Sequence, residues 1–321
     1  MTGESAERIL ITGATGFVGS WLTEELRREH PAAALFGTTL SGAGRERDGI
    51  TLLTCDITDA AQIESVVRAA RPTRVFHLAG IASAGGDTDA SALNAVNAAA
   101  SVSLLRAVAQ RGEPCRVLLA SSGYVYGATT PGRPARESDP LHTVGAYAES
   151  KVAMETAAAR FLADERPAGV SVVFARAFNH TGARQTDAFV VPAFARQIAE
   201  IEKGRAEPVV RVGNLNAGRD FLDVRDVVRA YRLLLEIAGS EPLRVVNVAS
   251  GVRRTIRSLL DGLVGLSTIP VRIETDPARL RPSDLPECVG APQKLRELTG
   301  WEAQVTIEET LRETLFWWRE Q

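Results

Sequence analysis

The sequence predicts an α/β fold built around a doubly wound parallel sheet. Through the first 180 residues, short apolar runs rich in β-branched side chains alternate with longer segments of helical periodicity. This alternation is typical of repeated strand–helix–strand units. With 321 residues, 45% of them hydrophobic, the chain has enough apolar material to cover both faces of such a sheet. The strand candidates are RILIT, AALFGTTL, ITLLTC, RVFHLAG, CRVLLASS and VSVVFARAF.

Helical segments separate these strands. They lie at about residues 17–29, 59–71, 88–111 and 143–165. The last three begin near Asp59, Asp87 and Thr143, residue types that commonly cap helix N-termini. We therefore expect helices on both faces of the sheet, although an α/β fold that binds no nucleotide stays open before the motifs are considered.

In the second half of the chain, strand-like and helix-like segments alternate less regularly, which predicts a smaller α/β domain. We expect residues 1–180 to form the dinucleotide-binding domain and residues 181–321 a substrate domain, interleaved with the last strands of the sheet. The expected elements are helices near 187–203, 223–238 and 255–266, strands near 208–212, 243–250 and 270–274, the polar loops GNLNAGRD and RLRPSDLPE, and two terminal helical stretches.

Composition excludes several classes of function. Lys plus Arg number 37 against 39 for Asp plus Glu, so the chain lacks the basic excess that nucleic-acid binding requires. No apolar run approaches the roughly 18 residues of a membrane span, and residues 1–7 are short and polar, so we expect neither a membrane helix nor a signal peptide. We expect a cytoplasmic protein. The scattered Cys55, Cys115 and Cys288 predict reduced thiols, and the four histidines show no metal-ligand spacing, so no metal is expected.

A glycine-rich loop follows the first strand and predicts a dinucleotide site. Gly13, Gly16 and Gly19 stand where the strand turns into a helix, as in the Rossmann fold. The helix N-terminus would bind the phosphates through free amides. The alternative, a purely structural turn, is disfavoured by this strand–loop–helix context. Asp56 in CDITD is placed to accept from the adenine amino group, or else to share helix capping with Asp59.

The end of the second strand favours NADPH over NADH. An acid at this point binds the ribose 2′-hydroxyl and repels a 2′-phosphate, but the segment GTTLSGAGRER has none directly after the strand. Hydroxyls and cations that would suit a phosphate are present instead, although NAD remains open because loop arginines are often simply solvated. They are Thr38, Thr39, Ser41, Arg45 and Arg47.

The catalytic group is predicted by spacing. Tyr147 and Lys151 stand four residues apart on a predicted helix, so both side chains point from one face. Lys151 is one of three lysines in the chain, and a nearby cation lowers the pKa of a phenol, normally about 10. Ser121 and Ser122 end a strand where ligands of doubly wound sheets bind. Ser122 is the preferred residue for holding a substrate carbonyl, and Ser121 is the alternative.

These motifs together closely resemble the extended short-chain dehydrogenase family over essentially the whole chain. The resemblance rests on TGATGFVG, the serines of the fifth strand, Tyr147 with Lys151, and Asn97. It implies that Ser122, Tyr147 and Lys151 are the catalytic group and that the lysine also holds the nicotinamide ribose. The expected cofactor contacts are Gly13, Gly16, Phe17, Val18, Gly19, Thr39, Arg45, Asp56, Ile57, Leu78, Ala79, Gly80, Asn97, Tyr147 and Lys151.

Three C-terminal segments narrow the resemblance to GDP-4-keto-6-deoxy-D-mannose reductases and the related GDP-mannose 4,6-dehydratases. They are ARAFNHTGARQTDAFVVPAFARQI, VGNLNAGRDFLDVRDVVRAY and LRPSDLPECVGAPQKLRELTGW. The resemblance implies that Asn179, Arg219 and Arg281 contact the diphosphate, that Arg196 lies near the nucleotide, and that Asp284 binds the ribose hydroxyls. Gly-Ala-Arg at 182–184 departs from these relatives, which commonly have a proline there.

The residues after the paired serines separate reduction from dehydration. The dehydratases that this chain resembles carry an acid there, whereas this chain has Gly123 and Tyr124, both expected to line the substrate site. We therefore expect a 4-ketoreductase acting on an NDP-4-keto-6-deoxyhexose, with GDP favoured. A dTDP-linked ketoreductase, a dehydratase, an epimerase and a non-catalytic NADP-sensing regulator stay open. The resemblance and the alanine-rich faces AVNAAASV and AMETAAA also predict a homodimer.

Overall fold

The computed structural model describes residues 7–40, 46–47, 49–82, 89–237, 241–280 and 285–321. Its strands are β1 (Arg8–Thr12), β2 (Ala34–Thr39), β3 (Glu46–Arg47), β4 (Ile50–Thr54), β5 (Arg74–His77), β6 (Cys115–Ser122), β7 (Val170–Ala177), β8 (Asn179–Thr181), β9 (Val209–Val212), β10 (Gly218–Asp223), β11 (Leu243–Val248), β12 (Arg253–Thr255), β13 (Arg272–Thr275) and β14 (Glu287–Cys288).

The helices alternate with these strands through the first half of the chain. They are α1 (Phe17–Glu29), α2 (Ala60–Ala70), α3 (Ala90–Leu93), a π-helical segment (Asn94–Ala99), α4 (Ala100–Ala109), a 3₁₀ turn (Gly123–Tyr126), α5 (Ala146–Glu165), α6 (Val190–Glu202), α7 (Val224–Glu236), α8 (Ile256–Gly265), a second 3₁₀ turn (Pro277–Arg279), α9 (Gln293–Thr299) and α10 (Ile307–Glu320).

The central sheet confirms the predicted fold class. Its strand order is β11-β7-β6-β5-β1-β2-β4-β3, parallel throughout except for the short antiparallel edge strand β3. The chain runs outward from β1 in both directions, so the carboxyl ends of β1 and β5 flank the switch point where ligands of such sheets bind. Strand β11 comes from the second half of the chain and pairs with β7. This pairing matches the expected interleaving, while the boundary at residue 180 stays a prediction.

Apolar layers cover both faces of the sheet. On one face, Ile9 and Ile11 of β1 pack against a layer that includes Leu22 of α1 and Val227 of α7. Leu10 points to the opposite face, into a cluster built by β5, β6, α2, α4 and α5. The alternation follows from the two-residue period of a strand. The sheet is therefore rigidly enclosed, and its carboxyl edge is a fixed platform for side chains.

The second half forms its own apolar cluster. Helices α6, α8 and α10 pack around β9 and β10, with Ile198, Leu260 and Leu315 fully buried. The expectation that GNLNAGRD is entirely a loop was wrong at its end, because Gly218–Asp220 belong to β10 and pair with β12 and β14. The polar side chains concealed this strand, since β-pairing and burial there are set by tertiary contacts rather than by local hydrophobicity.

Two of the three predicted helix starts can be checked. Asp59 caps α2 as expected, accepting from the amides of Ala61 and Gln62. Helix α5 begins at Ala146 after Gly145, which has a φ of 85°, so the expected cap at Thr143 was wrong. Asp87 lies outside the described residues, and Asp89 caps α3.

Residues Ala90–Ala109 are long and apolar enough, by length and composition alone, to cross a membrane. The apolar-run count did not single out this stretch. Half of it is buried within the protein, where it packs against α2 and α5, and core helices of globular proteins pass the same test. The three cysteines are free and buried, which confirms that they are packing thiols.

Candidate active site

The glycine loop has the shape that a pyrophosphate needs. Gly13 has a φ of +70°, and a Cβ there would lie 3.0 Å from the backbone of Ala79. A Cβ on Gly19 would lie 2.2 Å from the carbonyl oxygen of Gly13. No side chain caps the amino end of α1 at Gly16, so its first amides point free toward the loop. The cradle thus fits a dinucleotide phosphate and admits no side chains.

Thr12 and His77, which the sequence reasoning missed, hold this loop in place. So does Thr38, which we expected to meet a 2′-phosphate but which is buried under the loop. Thr12 Oγ1 lies 2.7 Å from Nδ1 of His77 and accepts from the amide of Ala79 at 3.1 Å. Thr38 Oγ1 accepts from the amide of Gly13 at 3.1 Å. Burial, with a smaller effect from the charge on Lys151, lowers the pKa of His77 to about 3. His77 is therefore neutral and helps to hold the glycine loop in place. The signal in the sequence for this arrangement was the polar residue at the end of each of β1, β2 and β5.

Several other expected cofactor residues surround the same edge. Phe17 stacks on His180 with ring centroids 6.3 Å apart. Val18 and Leu78 are partly buried against one apolar layer and Ile57 against the other. A Cβ on Gly80 would come within 2.8 Å of Asn97 Oδ1 and 3.6 Å of Lys151 Nζ, so this glycine too keeps backbone close to the catalytic helix.

The adenine end of the predicted site is only partly described. Asp56 is exposed, and its Oδ1 accepts from the amide and the hydroxyl of Thr58 at 2.9 and 2.7 Å. These hydrogen bonds lower the pKa of Asp56. Asp56 therefore stabilises the conformation of its own loop, independently of any contact with an adenine base. Thr39 ends β2, whereas Ser41 and Arg45 lie outside the described residues.

Asn97 ties the cofactor loop to the catalytic helix. It lies in the π-helical segment, and its Oδ1 accepts from the amide of Ile81 at 3.0 Å. Its Nδ2 donates to Ser150 Oγ at 2.9 Å, and Ser150 Oγ donates to the carbonyl of Tyr147 at 2.7 Å. Single π turns often occur at functional sites. Here the turn directs Asn97 across to α5.

The structure brings Ser122, Tyr147 and Lys151 together at the carboxyl end of β6. Ser122 lies close enough to the Tyr147 phenol to lower its pKa, and Ser122 Oγ accepts from the amide of Tyr124 at 3.2 Å. Lys151 Nζ lies 5.9 Å from the centroid of the Tyr147 ring and donates to the carbonyl of Ala120 at 2.9 Å. Helix α5 and strand β6 therefore converge on one point beside Gly80.

The protonation of this group differs from the expectation. Burial raises the pKa of Tyr147 to about 12, opposed by the hydrogen bond with Ser122, although we expected Lys151 to lower it. Burial also lowers the pKa of Lys151 to about 8, opposed by the carboxylate of Glu155. The ammonium lies 5.9 Å from the ring centroid and is itself desolvated, so burial outweighs its effect on the pKa of the phenol. Tyr147 is thus held as a protonated phenol, the form that a general acid requires.

Ser121 and Ser122 have different surroundings. Ser121 Oγ donates to Glu155 Oε1 at 2.6 Å and is buried, whereas Ser122 reaches Tyr147. Neighbouring residues of a strand point to opposite sides, which explains the division. Ser122 accordingly lies in the cleft, and Ser121 lies behind it.

A second cluster lies beside the catalytic tyrosine. The ring of Tyr124 meets Tyr147 edge-on at 6.5 Å, and its hydroxyl accepts from Arg219 Nε at 3.3 Å and Asn179 Nδ2 at 3.5 Å. Arg219 is 5% exposed and also donates to the carbonyls of Gly218 and Leu285. The buried Oδ1 of Asn179 has no hydrogen-bond partner. Amide and guanidinium are therefore aimed together beside the catalytic group.

These three residues open into a cavity of about 490 Å³. Sequence reasoning missed most of its wall, because single aromatic and basic residues in scattered loops carry no spacing signal. The wall includes Asp187, Phe189, Phe194, Asn214, Arg279 and Leu280. Arg196 lines an adjacent cavity of about 510 Å³ instead and forms an ion pair with Asp187, which both cavities share. Arg281 and Asp284 lie outside the described residues.

The departure at 182–184 lies against α1. Trp21 Nε1 donates to the carbonyl of Ala183 at 3.2 Å, and the Arg184 guanidinium lies 4.3 Å from the Trp21 ring centroid. Arg184 also pairs with Glu24. This segment therefore covers the helix that follows the glycine loop.

Residues 10–314 match the family described as GDP-mannose 4,6 dehydratase. The chain belongs to the GDP-mannose 4,6 dehydratase family. GDP-6-deoxy-D-mannose reductase from Pseudomonas aeruginosa is 33% identical over 314 residues, covering 97% of each chain. These findings confirm the family resemblance predicted from the sequence.

Solved structures agree with this assignment. The structure described as RMD from Pseudomonas aeruginosa complexed with NADPH has a TM-score of 0.81 at 30% identity, covering 98% of this chain and 99% of that one. The UDP-glucose 4-epimerase of Thermus thermophilus in complex with NAD has a TM-score of 0.83 at 30% identity, covering 97% and 99%. Proteins similar to this chain thus include reductases and epimerases. The choice between these activities therefore has to be argued from the residues of the site.

Proposed function

We propose that this protein reduces the C4 ketone of an NDP-4-keto-6-deoxyhexose, with GDP-4-keto-6-deoxy-D-mannose as the favoured substrate and NADPH as the reductant. The observation that carries this proposal is the convergence of Ser122, Tyr147 and Lys151 at the carboxyl end of β6, between the glycine loop and the cavity of Arg219. One edge of the sheet thereby offers a proton donor, a dinucleotide cradle and a cationic pocket.

The chain's own residues supply the proton and hold the ketone. Ser122 positions the carbonyl oxygen, and Tyr147 donates its phenolic proton to that oxygen. A Tyr147 pKa of about 12 keeps the proton in place at neutral pH until the oxygen gains negative charge. Lys151 then stabilises the tyrosinate that is left. NADPH, when bound, supplies the hydride to C4.

The cavity beside Tyr124 is proposed to hold the nucleotide. Arg219 and Asn179 would meet the diphosphate through the guanidinium and the Nδ2 amide group, because both groups lie beside Tyr124 and can donate hydrogen bonds to phosphate oxygens. Arg281 on the diphosphate, Asp284 on the ribose and Arg196 near the nucleotide remain proposals that rest on the family. The substrate domain of residues 181–321 is proposed on the same basis.

Local packing at Gly123 supports reduction over dehydration. A Cβ on Gly123 would lie 2.7 Å from ring carbons of Phe178, so no carboxylate fits at this position without movement of the ring. Tyr124 follows it and offers a phenol rather than an acid. Dehydration requires a proton to be taken from C5 and water to leave C6, and general acid–base help is worth about 10² to 10⁴ for each group. Simple reduction needs only the proton that Tyr147 donates, and it requires no acid or base at C5 and C6.

Two assays test this function. With GDP-4-keto-6-deoxy-D-mannose, we expect NADPH consumption and a larger kcat/KM than with NADH, measured by absorbance. With GDP-mannose and catalytic NADP, we expect no 4-keto-6-deoxy product by mass spectrometry. Product from GDP-mannose would contradict the proposal. So would inactivity toward both the GDP-linked and the dTDP-linked keto sugars, while activity toward the dTDP compound alone would move the proposal to that nucleotide.

The proposed setting is a cytoplasmic homodimer without nucleic-acid or membrane partners. The alanine-rich faces of the π-helical segment and α5 pack partly against each other within the chain, yet Ala95 and Ala99 of the π-helical segment remain exposed. Small exposed side chains allow a second copy to approach closely. Light scattering at micromolar concentration should report twice the 34.4 kDa chain mass, and a monomer would remove this part of the proposal.

A further inference from the structure

A buried ion pair lies directly behind the catalytic residues. The Glu155 and Arg176 side chains are only 7% and 6% exposed. Arg176 Nε donates to Glu155 Oε1 at 2.9 Å and Nη2 donates to Oε2 at 2.6 Å, which is a two-pronged contact. Neither residue lines the cleft. Burying two charges is costly, and apolar residues often serve a core equally well, so stability alone gives a weak reason for this pair.

The contacts of the pair join the elements that carry the catalytic side chains. Glu155 lies four residues after Lys151 and eight after Tyr147, on the same face of α5. Its Oε1 also accepts from Ser121 Oγ at 2.6 Å, and Ser121 adjoins Ser122 at the end of β6. One carboxylate therefore fixes the catalytic helix against the strand end that holds the carbonyl-binding serine.

Arg176 extends the same network to the substrate side. Its Nη1 donates to the Tyr126 hydroxyl at 2.8 Å, and that hydroxyl donates to Asn247 Oδ1 at 2.8 Å. Tyr126 closes the 3₁₀ turn that contains Gly123 and Tyr124. Because β7, β11, this turn, β6 and α5 all meet through five buried side chains, a shift at one of them would be transmitted to the others.

We propose that Glu155 and Arg176 are positioning residues for the reduction, holding Tyr147, Lys151, Ser122 and the 123–126 turn in one fixed arrangement and balancing the charge of Lys151. This inference rests on the proposed function for its kinetic half. Its electrostatic half concerns Lys151 alone and stands without a known substrate.

The charge balance has a definite direction. Among the described residues, the titratable groups facing Lys151 are Glu155 and Tyr147 from α5 and His77 from β5. His77 is neutral and Tyr147 is protonated at neutral pH, so Glu155 carries the compensating charge. Without it, burial and the cation of Arg176 would both drive Lys151 toward its neutral form, which cannot stabilise a tyrosinate.

The test follows Lys151 directly. The chain has three lysines, so lysine-selective NMR can resolve the titration of Lys151 from those of Lys203 and Lys294. In the unmodified protein we expect a pKa of about 8. Glu155→Gln should lower it by about one unit or more. The double variant Glu155→Gln/Arg176→Met removes both charges of the ion pair, so no Arg176 cation is left unpaired near Lys151. It should give a smaller decrease in the Lys151 pKa, and it carries the test where the single variant fails to fold.

Kinetics give the second readout. Both variants should lower kcat by about tenfold or more while KM changes little, and the alkaline limb of the kcat profile should move to lower pH with the Lys151 titration. Ser121→Ala, which keeps the ion pair, should lower kcat without moving the alkaline limb of the kcat profile. The matched control is the pair of Glu25 and Arg232, whose side chains are 6% and 11% exposed and whose charged atoms are 2.9 Å apart, between α1 and α7.

The control double variant Glu25→Gln/Arg232→Met should lower the melting temperature without changing the Lys151 titration or the kcat profile. The inference is overturned if Lys151 titrates in the Glu155→Gln/Arg176→Met protein as it does in the unmodified protein, or if kcat falls no more than in the control. If the unmodified protein reduces no keto sugar, the proposed function fails, and the NMR titration still decides whether Glu155 balances Lys151.

Discussion

The catalytic cleft and the neighbouring nucleotide cavity are built in different ways. In the cleft, Ser122 and the pair of Tyr147 and Lys151 come from one strand end and one helix face. Strand β6 lies between β5 and β7, and α5 packs against the same apolar layer. In the cavity, Tyr124, Asn179, Arg219 and Arg279 come from four separate segments, two of them loops or short turns. The cleft depends on the regular sheet, and the cavity depends on how the second half of the chain folds over it.

This difference matches the separate roles proposed for the two regions, proton donation in the cleft and nucleotide binding in the cavity. Proton donation tolerates little misplacement, and a rigid platform provides it. Recognition of a nucleotide sugar varies between relatives, and loops on a fixed scaffold allow that variation. Solved structures of similar likeness include RMD from Pseudomonas aeruginosa with NADPH and a UDP-glucose 4-epimerase with NAD. We therefore expect substitutions in the cleft to act on kcat and substitutions in the cavity to act on KM.

The largest expected effect is at Tyr147. Tyr147→Phe removes the proton donor but keeps the ring that packs edge-on against Tyr124. We expect kcat to fall by about 10³-fold or more, because a general acid typically contributes 10² to 10⁴ and no other phenol is hydrogen-bonded to Ser122 in the described part of the chain. Binding of NADPH, followed by fluorescence, should be nearly unchanged. Retention of most of the turnover would show that another group donates the proton.

A smaller effect, on KM rather than on kcat, is expected when Arg219 is replaced. Arg219→Gln removes the guanidinium proposed to meet the diphosphate, and hydrogen bonds to charged groups contribute about 1.5 to 3 kcal/mol. KM should rise about 10- to 100-fold, with a much smaller change in kcat. Arg272→Gln, an exposed arginine of the same half, is the control and should leave KM unchanged. A kcat loss as large as that of Tyr147→Phe would mean that cleft and cavity are not separable.

The sequence was informative wherever a local pattern carries the physics. The glycine loop, the Tyr147 and Lys151 spacing and the six N-terminal strands follow from periodicity and backbone demands, and the structure contains each of them. The capping of α2 by Asp59 was equally predictable, because a helix cap is a local interaction. The strand β10 and the residues Phe189 and Arg279 were not, because their surroundings are created only when distant segments meet.

Protonation states were the least predictable property. The i, i+4 spacing correctly brought an ammonium and a phenol onto one helix face. It gave no account of desolvation, which raises the pKa of Tyr147 and lowers that of Lys151. It also gave no sign of Arg176, which lies inside an apolar strand and meets Glu155 only in the folded chain. Burial, which decides these shifts, is a property of the tertiary structure.

The smallest expected effect is at Gly123, where cleft and cavity join. Gly123→Ala would place a methyl group 2.7 Å from the ring of Phe178, and that ring is confined on its other side by Gly290, where a Cβ would lie 2.3 Å from it. Overpacking of this kind costs about 1 to 2 kcal/mol, so the melting temperature should fall while kcat and KM change little. Gly265→Ala is the matched control, since its Cβ would meet nothing within 4 Å. If both variants melt alike, Phe178 yields easily and its packing does not keep side chains out of position 123. The further variant Gly123→Asp then becomes decisive: with a yielding ring it could carry an acid beside the sugar and form some dehydrated product from GDP-mannose, whereas with a confined ring it should destabilise the protein and form none.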